Sequence, residues 1–69
     1  IDLVLPPGRI VSLVPQTEQV QLTLDGFEYP LVHVTVAQGS TRTLSNVARA
    51  PVQRVAVEQG TALMIVLKA

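Results

Sequence analysis

Val20, Leu22 and Leu24 alternate with Gln19, Gln21 and Thr23, the period of two that a strand with one buried face imposes. Asp25-Gly26 follows at once, the dipeptide suited to a two-residue type I′ turn because both positions take positive φ. The pattern predicts a hairpin of residues 19–24 and 27–36 that pairs Leu24 with Phe27, Leu22 with Tyr29 and Val20 with Leu31. Continued without interruption, that alternation turns His33 and Thr35 inward and Val32, Val34 and Val36 outward, which is the wrong way round. Pro30 sits where the parity fails, and proline within a sheet is confined largely to edges and bulges. A bulge near Pro30 that resets the faces is therefore expected. The competing reading keeps the register and makes Val32, Val34 and Val36 an outward contact patch.

A second hairpin is predicted at Gln59-Gly60, pairing Val57 with Ala62 and Val55 with Met64. Val55, Val57, Ala62, Met64 and Val66 then share one face, while Leu63, Ile65 and Leu67 lie on the other, opposite Ala56 and Arg54. A strand apolar on both faces is normally covered on both, so this last strand is expected at the centre of the assembly or in an oligomer contact. Upstream, residues 9–14 read as a strand entered through Pro6-Pro7-Gly8 and ended by Pro15, and residues 2–5 as a short edge strand. Gly39 separates the long strand from a brief one at 41–44. Residues 45–50 are the one plausible helical turn, capped by Ser45 or Asn46 and ended by Pro51. The expectation is one all-β domain over residues 1–69. Its form is a small six- or seven-stranded barrel of the OB or SH3 kind, or a compact sandwich, with at most one short helical turn.

Composition changes what the strands must face. The chain is 48% hydrophobic and only 14% charged, against about 25% charged residues in ordinary domains. A chain of this size buries only some 60% of the surface its unfolded form exposes. The apolar surplus therefore calls for a partner, another copy, or the rest of a larger protein. Five basic and five acidic side chains give zero net charge, and there are two aromatics. Nucleic acid is thus a poor partner, lacking both an electrostatic footprint and a stacking platform. With no cysteine there is no disulfide framework and no thiolate metal site. The longest apolar run, residues 62–67, falls far short of the roughly 20 residues of a membrane span. An opening isoleucine points to a processed, trimmed or excised chain, and no compartment is assigned.

Candidate chemistry is sparse. His33 is the only histidine, with Asp25 and Glu28 near it in sequence, and no second histidine or cysteine completes a common zinc set. It reads as a strand side chain facing solvent or a partner. Ser12, Ser40 and Ser45 lack any nucleophile frame and read as turn and cap residues. Asp2, Glu18, Asp25, Glu28 and Glu58 fall mostly at strand ends and turns. No catalytic residue, metal ligand or cofactor is expected. The donor-rich stretch around Gly39, with Ser40, Thr41 and Arg42, could offer backbone N–H groups and a guanidinium to an anion. Arg42, Arg49 and Arg54 make the second half the basic half, and arginine tolerates desolvation at interfaces better than lysine.

The succession Gly8-Arg9-Ile10-Val11-Ser12-Leu13, Val20 to Leu24, Asp25-Gly26, Val34-Thr35-Val36 and Val55-Ala56-Val57-Glu58-Gln59-Gly60, running to Leu67-Lys68-Ala69, resembles TOBE-type domains, including the small molybdate-binding proteins. Leu5-Pro6-Pro7 stands where those proteins carry a polar segment, and residues 46–54 also depart from their pattern. The resemblance implies an OB-like barrel, oligomeric association and oxyanion sites at subunit interfaces, with Lys68 and residues 35–41 as the positions that carry over. Residues 51–67 also look like the closing strands of AMIN domains of envelope proteins. The expected function is a non-enzymatic β module that self-associates as a homo-oligomer or docks into a larger protein assembly through Leu63, Ile65, Leu67, Val32, Val34 and Val36. The alternatives are oxyanion binding through Ser40, Thr41, Arg42 and Lys68, and OB-like binding of single-stranded nucleic acid.

Overall fold

Alternation of apolar and polar side chains is realised most fully in two strands, β2 (Ile10–Pro15) and β3 (Gln19–Asp25), in which every second residue is buried. The computed structural model of the chain describes residues 1–67. The remaining strands are β1 (Asp2–Leu3), β4 (Leu31–Ala37), β5 (Asn46–Val47), β6 (Gln53–Gln59) and β7 (Ala62–Leu67), and no helix occurs among the described residues. They form two antiparallel sheets, one in the order β1-β6-β3-β4 and the other β5-β2-β7. Val11 and Leu13 from the smaller sheet meet Val20, Leu22, Leu24 and Val55 from the larger one, with Phe27 closing one end of the core. The chain is all-β, as its pattern requires. Its sheets are separate layers around one apolar filling, the sandwich form of that class.

Both expected hairpin turns are redrawn. β3 and β4 do pair, but through a five-residue connection, residues 26–30, in which Phe27 leaves Leu24 and bridges Ala48 instead. Burying the one phenylalanine between the layers outweighs a tight turn at Asp25-Gly26. Gly26 keeps its positive φ of 84° for a different reason, because its backbone lies against Val52 and Gln53 of the entry to β6. Gln59-Gly60 carries the chain from one sheet to the other. β6 pairs with β3 and β1 while β7 pairs with β2, so Val57 does not face Ala62 across a ladder. The last strand is consequently an edge of the smaller sheet and not its centre.

The expected bulge exists, two to three residues beyond Pro30. Leu22 faces Val34 and Leu24 faces Leu31, so Val32 and His33 together oppose the single residue Thr23. His33 absorbs the extra length in the left-handed region, at φ 49°. Beyond the bulge the faces are reset: Val36 is 2% exposed in the core and Val34 is half-buried, leaving Val32 alone of the three outward, at 69% exposure. The contact patch of three valines is thereby dissolved. Residues 41–44 are a turn and not a strand, and in place of a helical turn at 45–50, Ser45 takes φ 57° and β5 runs alongside Ile10 and Val11.

Chain crossings between layers bring buried polar groups with them. Gln53 is fully buried, and its amide accepts from Leu5 N–H (2.9 Å) and donates to the carbonyls of Leu5 (3.3 Å) and Ala50 (2.6 Å). That side chain replaces the ladder partners Leu5 lacks after β1 ends. At the surface, Arg54 holds Asp2 by a 3.0 Å hydrogen bond that ties β1 to β6.

Gly26→Ala and Gly39→Ala should separate strain from collision. Both glycines have positive φ, but a Cβ at Gly26 would strike the Val52 carbonyl and Gln53 Cα, whereas none lies within 4 Å of Gly39. Denaturant unfolding should show a loss of about 1–2 kcal/mol for Gly39→Ala and a clearly larger one for Gly26→Ala. The hydrogen bond and charge of Arg54 hold the Asp2 carboxyl below the ordinary aspartate value of 3.8. A depressed folded-state value means that the pair contributes above the ordinary aspartate range and is lost as pH falls through the depressed one. An NMR titration of Asp2 should accordingly move up toward 3.8 in Arg54→Met.

Candidate functional site

The segment between β4 and β5 is the longest connection in the chain, and it is held from within. Thr43 is buried, its hydroxyl donating to the Leu13 carbonyl (2.6 Å), while Leu13 N–H donates to the Thr43 carbonyl (2.9 Å). Asn46 is buried as well. Its Oδ1 accepts from the N–H groups of Tyr29 and Val47, each at 3.0 Å, and its Nδ2 donates to the Tyr29 carbonyl at 2.8 Å. Between these two anchors stands Ser45, whose N–H donates to the Ser12 hydroxyl (2.9 Å) and whose backbone occupies the left-handed region. A non-glycine residue at positive φ costs of order 1–3 kcal/mol and persists only where its surroundings over-determine it. Here they do, on both sides.

The same anchoring fixes Tyr29. Its main chain is clasped by the Asn46 amide while its side chain remains exposed, and Glu28 beside it is held by Arg49 at 3.0 Å. Tyr29, Leu44 and Ser45 thus form an exposed rim about the buried Asn46 amide. It combines an exposed tyrosine, a partly exposed leucine and an exposed serine. The rim is an open surface, with no enclosed cavity beside it among the described residues.

A second cluster lies on the outer face of the larger sheet. Bulges flank β3 on both sides: Val32 and His33 face Thr23 from β4, and on β6 Glu58 is the extra residue between the Gln21–Gln59 and Leu22–Val57 pairs. They bring His33 and Glu58 together over Thr23. His33 Nδ1 lies 2.5 Å from the Glu58 carboxylate, Thr23 donates to Glu58 (3.3 Å), and His33 N–H donates to the Thr23 hydroxyl (3.0 Å). His33 thus faces solvent from a strand, as expected, with Glu58 as its carboxylate partner in place of Asp25 or Glu28. Among the described residues no three metal-ligating side chains converge.

Of the anion candidates, Ser40, Thr41 and Arg42 lie together in the loop after β4. Ser40 turns its hydroxyl to the N–H of Arg42 (3.1 Å) and gives its own N–H to the Ala37 carbonyl, so two backbone donors are already engaged within the loop. Thr41 and Arg42 are exposed, and Lys68 lies outside the described residues. Leu63, Ile65 and Leu67 do share one outward face, that of the smaller sheet. The residues that sequence reasoning passed over are Tyr29, Thr43 and Asn46. Ser45 and Asn46 have the composition of a helix cap, the common use of those residue types, and nothing in the local pattern distinguishes a cap from a clasp on a residue 17 positions away.

Two antiparallel sheets with a polar loop anchored between them define a small β-sandwich. Residues 1–62 match the family model described as thiamin pyrophosphokinase, vitamin B1 binding domain, and the chain belongs to that family. A solved structure, thiamine pyrophosphokinase from Bacillus subtilis, superposes with a TM-score of 0.84 at 30% identity, covering 93% of this chain and 31% of that one. The chain therefore spans about a third of the length of the solved protein it matches. No curated protein sequence matches it.

These findings correct the resemblance to TOBE and molybdate-binding domains, and to AMIN domains. Regular hydrophobic spacing and glycine turns are common to many small β folds, and the residues set aside as departures from the TOBE pattern, 46–54, hold Asn46 and Gln53, on which this fold depends. They also overturn the expected functions: an assembly module, an oxyanion binder and a single-strand nucleic-acid binder each give way to membership of a vitamin B1 binding family.

Truncating the clasp should be felt at a distance. Asn46→Ala leaves Tyr29 and Val47 backbone groups without partners and should lower unfolding stability by about 2–3 kcal/mol, with faster amide exchange at those two residues. Thr43→Val, which removes one buried hydroxyl at constant shape, should lose about 1–2 kcal/mol in the same denaturation measurement.

Proposed function

We propose that the chain holds thiamin within a thiamin pyrophosphokinase, and that the rim of Tyr29, Leu44 and Ser45 about Asn46 is where this part of the protein meets the vitamin. The observation that carries the reading is Ser45, strained and exposed between two buried polar anchors, in a chain of the vitamin B1 binding family. Backbone strain of this kind concentrates at ligand clamps. Thiamin joins a flat aminopyrimidine to a thiazolium with a fixed positive charge and carries a hydroxyl on a short arm. An exposed tyrosine ring offers a stacking face and a favourable quadrupole to such a cation. Ser45 adds a hydroxyl that can donate or accept at the ring edges.

The role assigned to these residues is to bind and orient. Pyrophosphoryl transfer relies on positioned donor phosphates and concentrated positive charge, whereas Arg49 and Arg54 here are paired with Glu28 and Asp2. On this proposal the transfer chemistry is supplied by the rest of the enzyme, so the expectation of a module without catalytic residues of its own is compatible with service in an enzyme.

In the full-length enzyme, Tyr29→Ala and Ser45→Val should each raise the KM for thiamin by about tenfold, or 1.4 kcal/mol, with the KM for the nucleotide donor unchanged. Steady-state kinetics that leave the thiamin KM of both variants at the wild-type value would overturn the assignment.

A further inference from the structure

Successive residues of a strand present their main-chain N–H and C=O to opposite neighbours. From Arg9 through β2, the odd-numbered residues face β5 and the loop before it. The Arg9 carbonyl accepts from Ala48 N–H at 2.8 Å, Val11 pairs with Asn46, and Leu13 N–H donates to the Thr43 carbonyl at 2.9 Å. Ser12 falls between them, so its main chain is turned the other way, toward Ile65 of β7.

The two segments are also out of step at this point. Between the Val11–Asn46 pair and the Leu13–Thr43 hydrogen bond, Leu44 and Ser45 together oppose the single residue Ser12. That is the count of a β-bulge, in which the extra residue has no ladder partner. Ser45 N–H therefore meets no Ser12 carbonyl, and it donates to the Ser12 hydroxyl instead, at 2.9 Å. Ile10 and Val14, on the same side of β2, are apolar. A hydroxyl in the middle of that side, far from any turn, answers the one main-chain donor that the bulge displaces.

We propose that Ser12 is a positioning residue for thiamin, its hydroxyl holding Ser45 in the left-handed conformation in which the Ser45 side chain meets the vitamin. The proposal rests on the reading of the rim given above. Thr43 and Asn46 anchor their own positions, whereas the bond to Ser12 is made by Ser45 itself, at φ 57°. Left-handed backbone in a non-glycine residue costs of order 1–3 kcal/mol, and without that bond Ser45 relaxes from it for part of the time. A binding conformer that is only partly populated lowers apparent affinity by its fraction. The chemistry of the bound complex is left as it was.

Threonine and valine share a shape, so Ser12→Thr and Ser12→Val differ in the hydroxyl alone. In the full-length enzyme, Ser12→Val should raise the thiamin KM about fivefold, the size of one hydrogen bond, with kcat and the nucleotide KM unchanged. Ser12→Thr should stay within about twofold of wild type. Added to Ser45→Val, Ser12→Val should raise the thiamin KM no further, because it acts through a residue already truncated. Hydrogen exchange read by mass spectrometry should be faster in Ser12→Val than in Ser12→Thr across residues 43–46 and equal elsewhere, which shows the sandwich intact. Equal thiamin KM values in the two position-12 variants would overturn the proposal while the rim reading stands on Ser45→Val. A full further rise in the double variant would overturn it too, as would a loss of kcat with both KM values raised, the signature of general damage to the fold. A wild-type thiamin KM in Ser45→Val would remove the rim reading itself, and this proposal with it.

Discussion

A sandwich whose chain changes layer at five of its six strand connections must repeatedly bring main chain across its own rim, where no neighbouring strand is available to complete the hydrogen bonds. An unpaired buried amide or carbonyl costs about 1–3 kcal/mol, so a few such crossings left unpaired would rival the net stability of a small domain. Three buried polar side chains meet this constraint. Gln53 completes Leu5 and Ala50, Thr43 completes Leu13, and Asn46 completes Tyr29 and Val47. No buried side-chain nitrogen or oxygen among the described residues is left without a partner.

The candidate binding rim follows from that same constraint. Asn46 holds Tyr29 and Thr43 holds β2, so the two residues between them have little conformational choice, and Ser45 takes the left-handed region. Fold and site therefore share their anchors. Preorganisation of this sort reduces the ordering a ligand must impose when it binds, and it also means that the rim cannot be altered at Asn46 without altering the sandwich.

What could be read from the residues was governed by range. The alternation in β2 and β3 reports a local fact, which side of a strand faces the core, and it survives in the structure unchanged. The outward set Leu63, Ile65 and Leu67 was legible for the same reason. Pairing is not local. Gln59-Gly60 has the composition of a hairpin turn, yet the strands it joins belong to different sheets, because Gly60 fits against the Gln19 carbonyl and Thr17 hydroxyl, groups some 40 residues upstream. The bulge was foreseen from a parity conflict, while its position at Val32 and His33 depended on Thr23 across the sheet. The rim was the least legible part, since a clasp between Asn46 and Tyr29 leaves no periodic trace.

The paired bulges around Thr23 also determine how the sandwich ends. β4 lies at the edge of its sheet, and a bulge there bends the strand and breaks the even spacing of its outward main-chain groups. A bent edge is a poor template for a foreign strand. β7, at the edge of the other sheet, pairs with β2 in unbroken register and carries six apolar residues with no proline or charge. The two edges thus differ in their susceptibility to fibril growth, with β4 guarded by its own geometry and β7 dependent on whatever lies beside it.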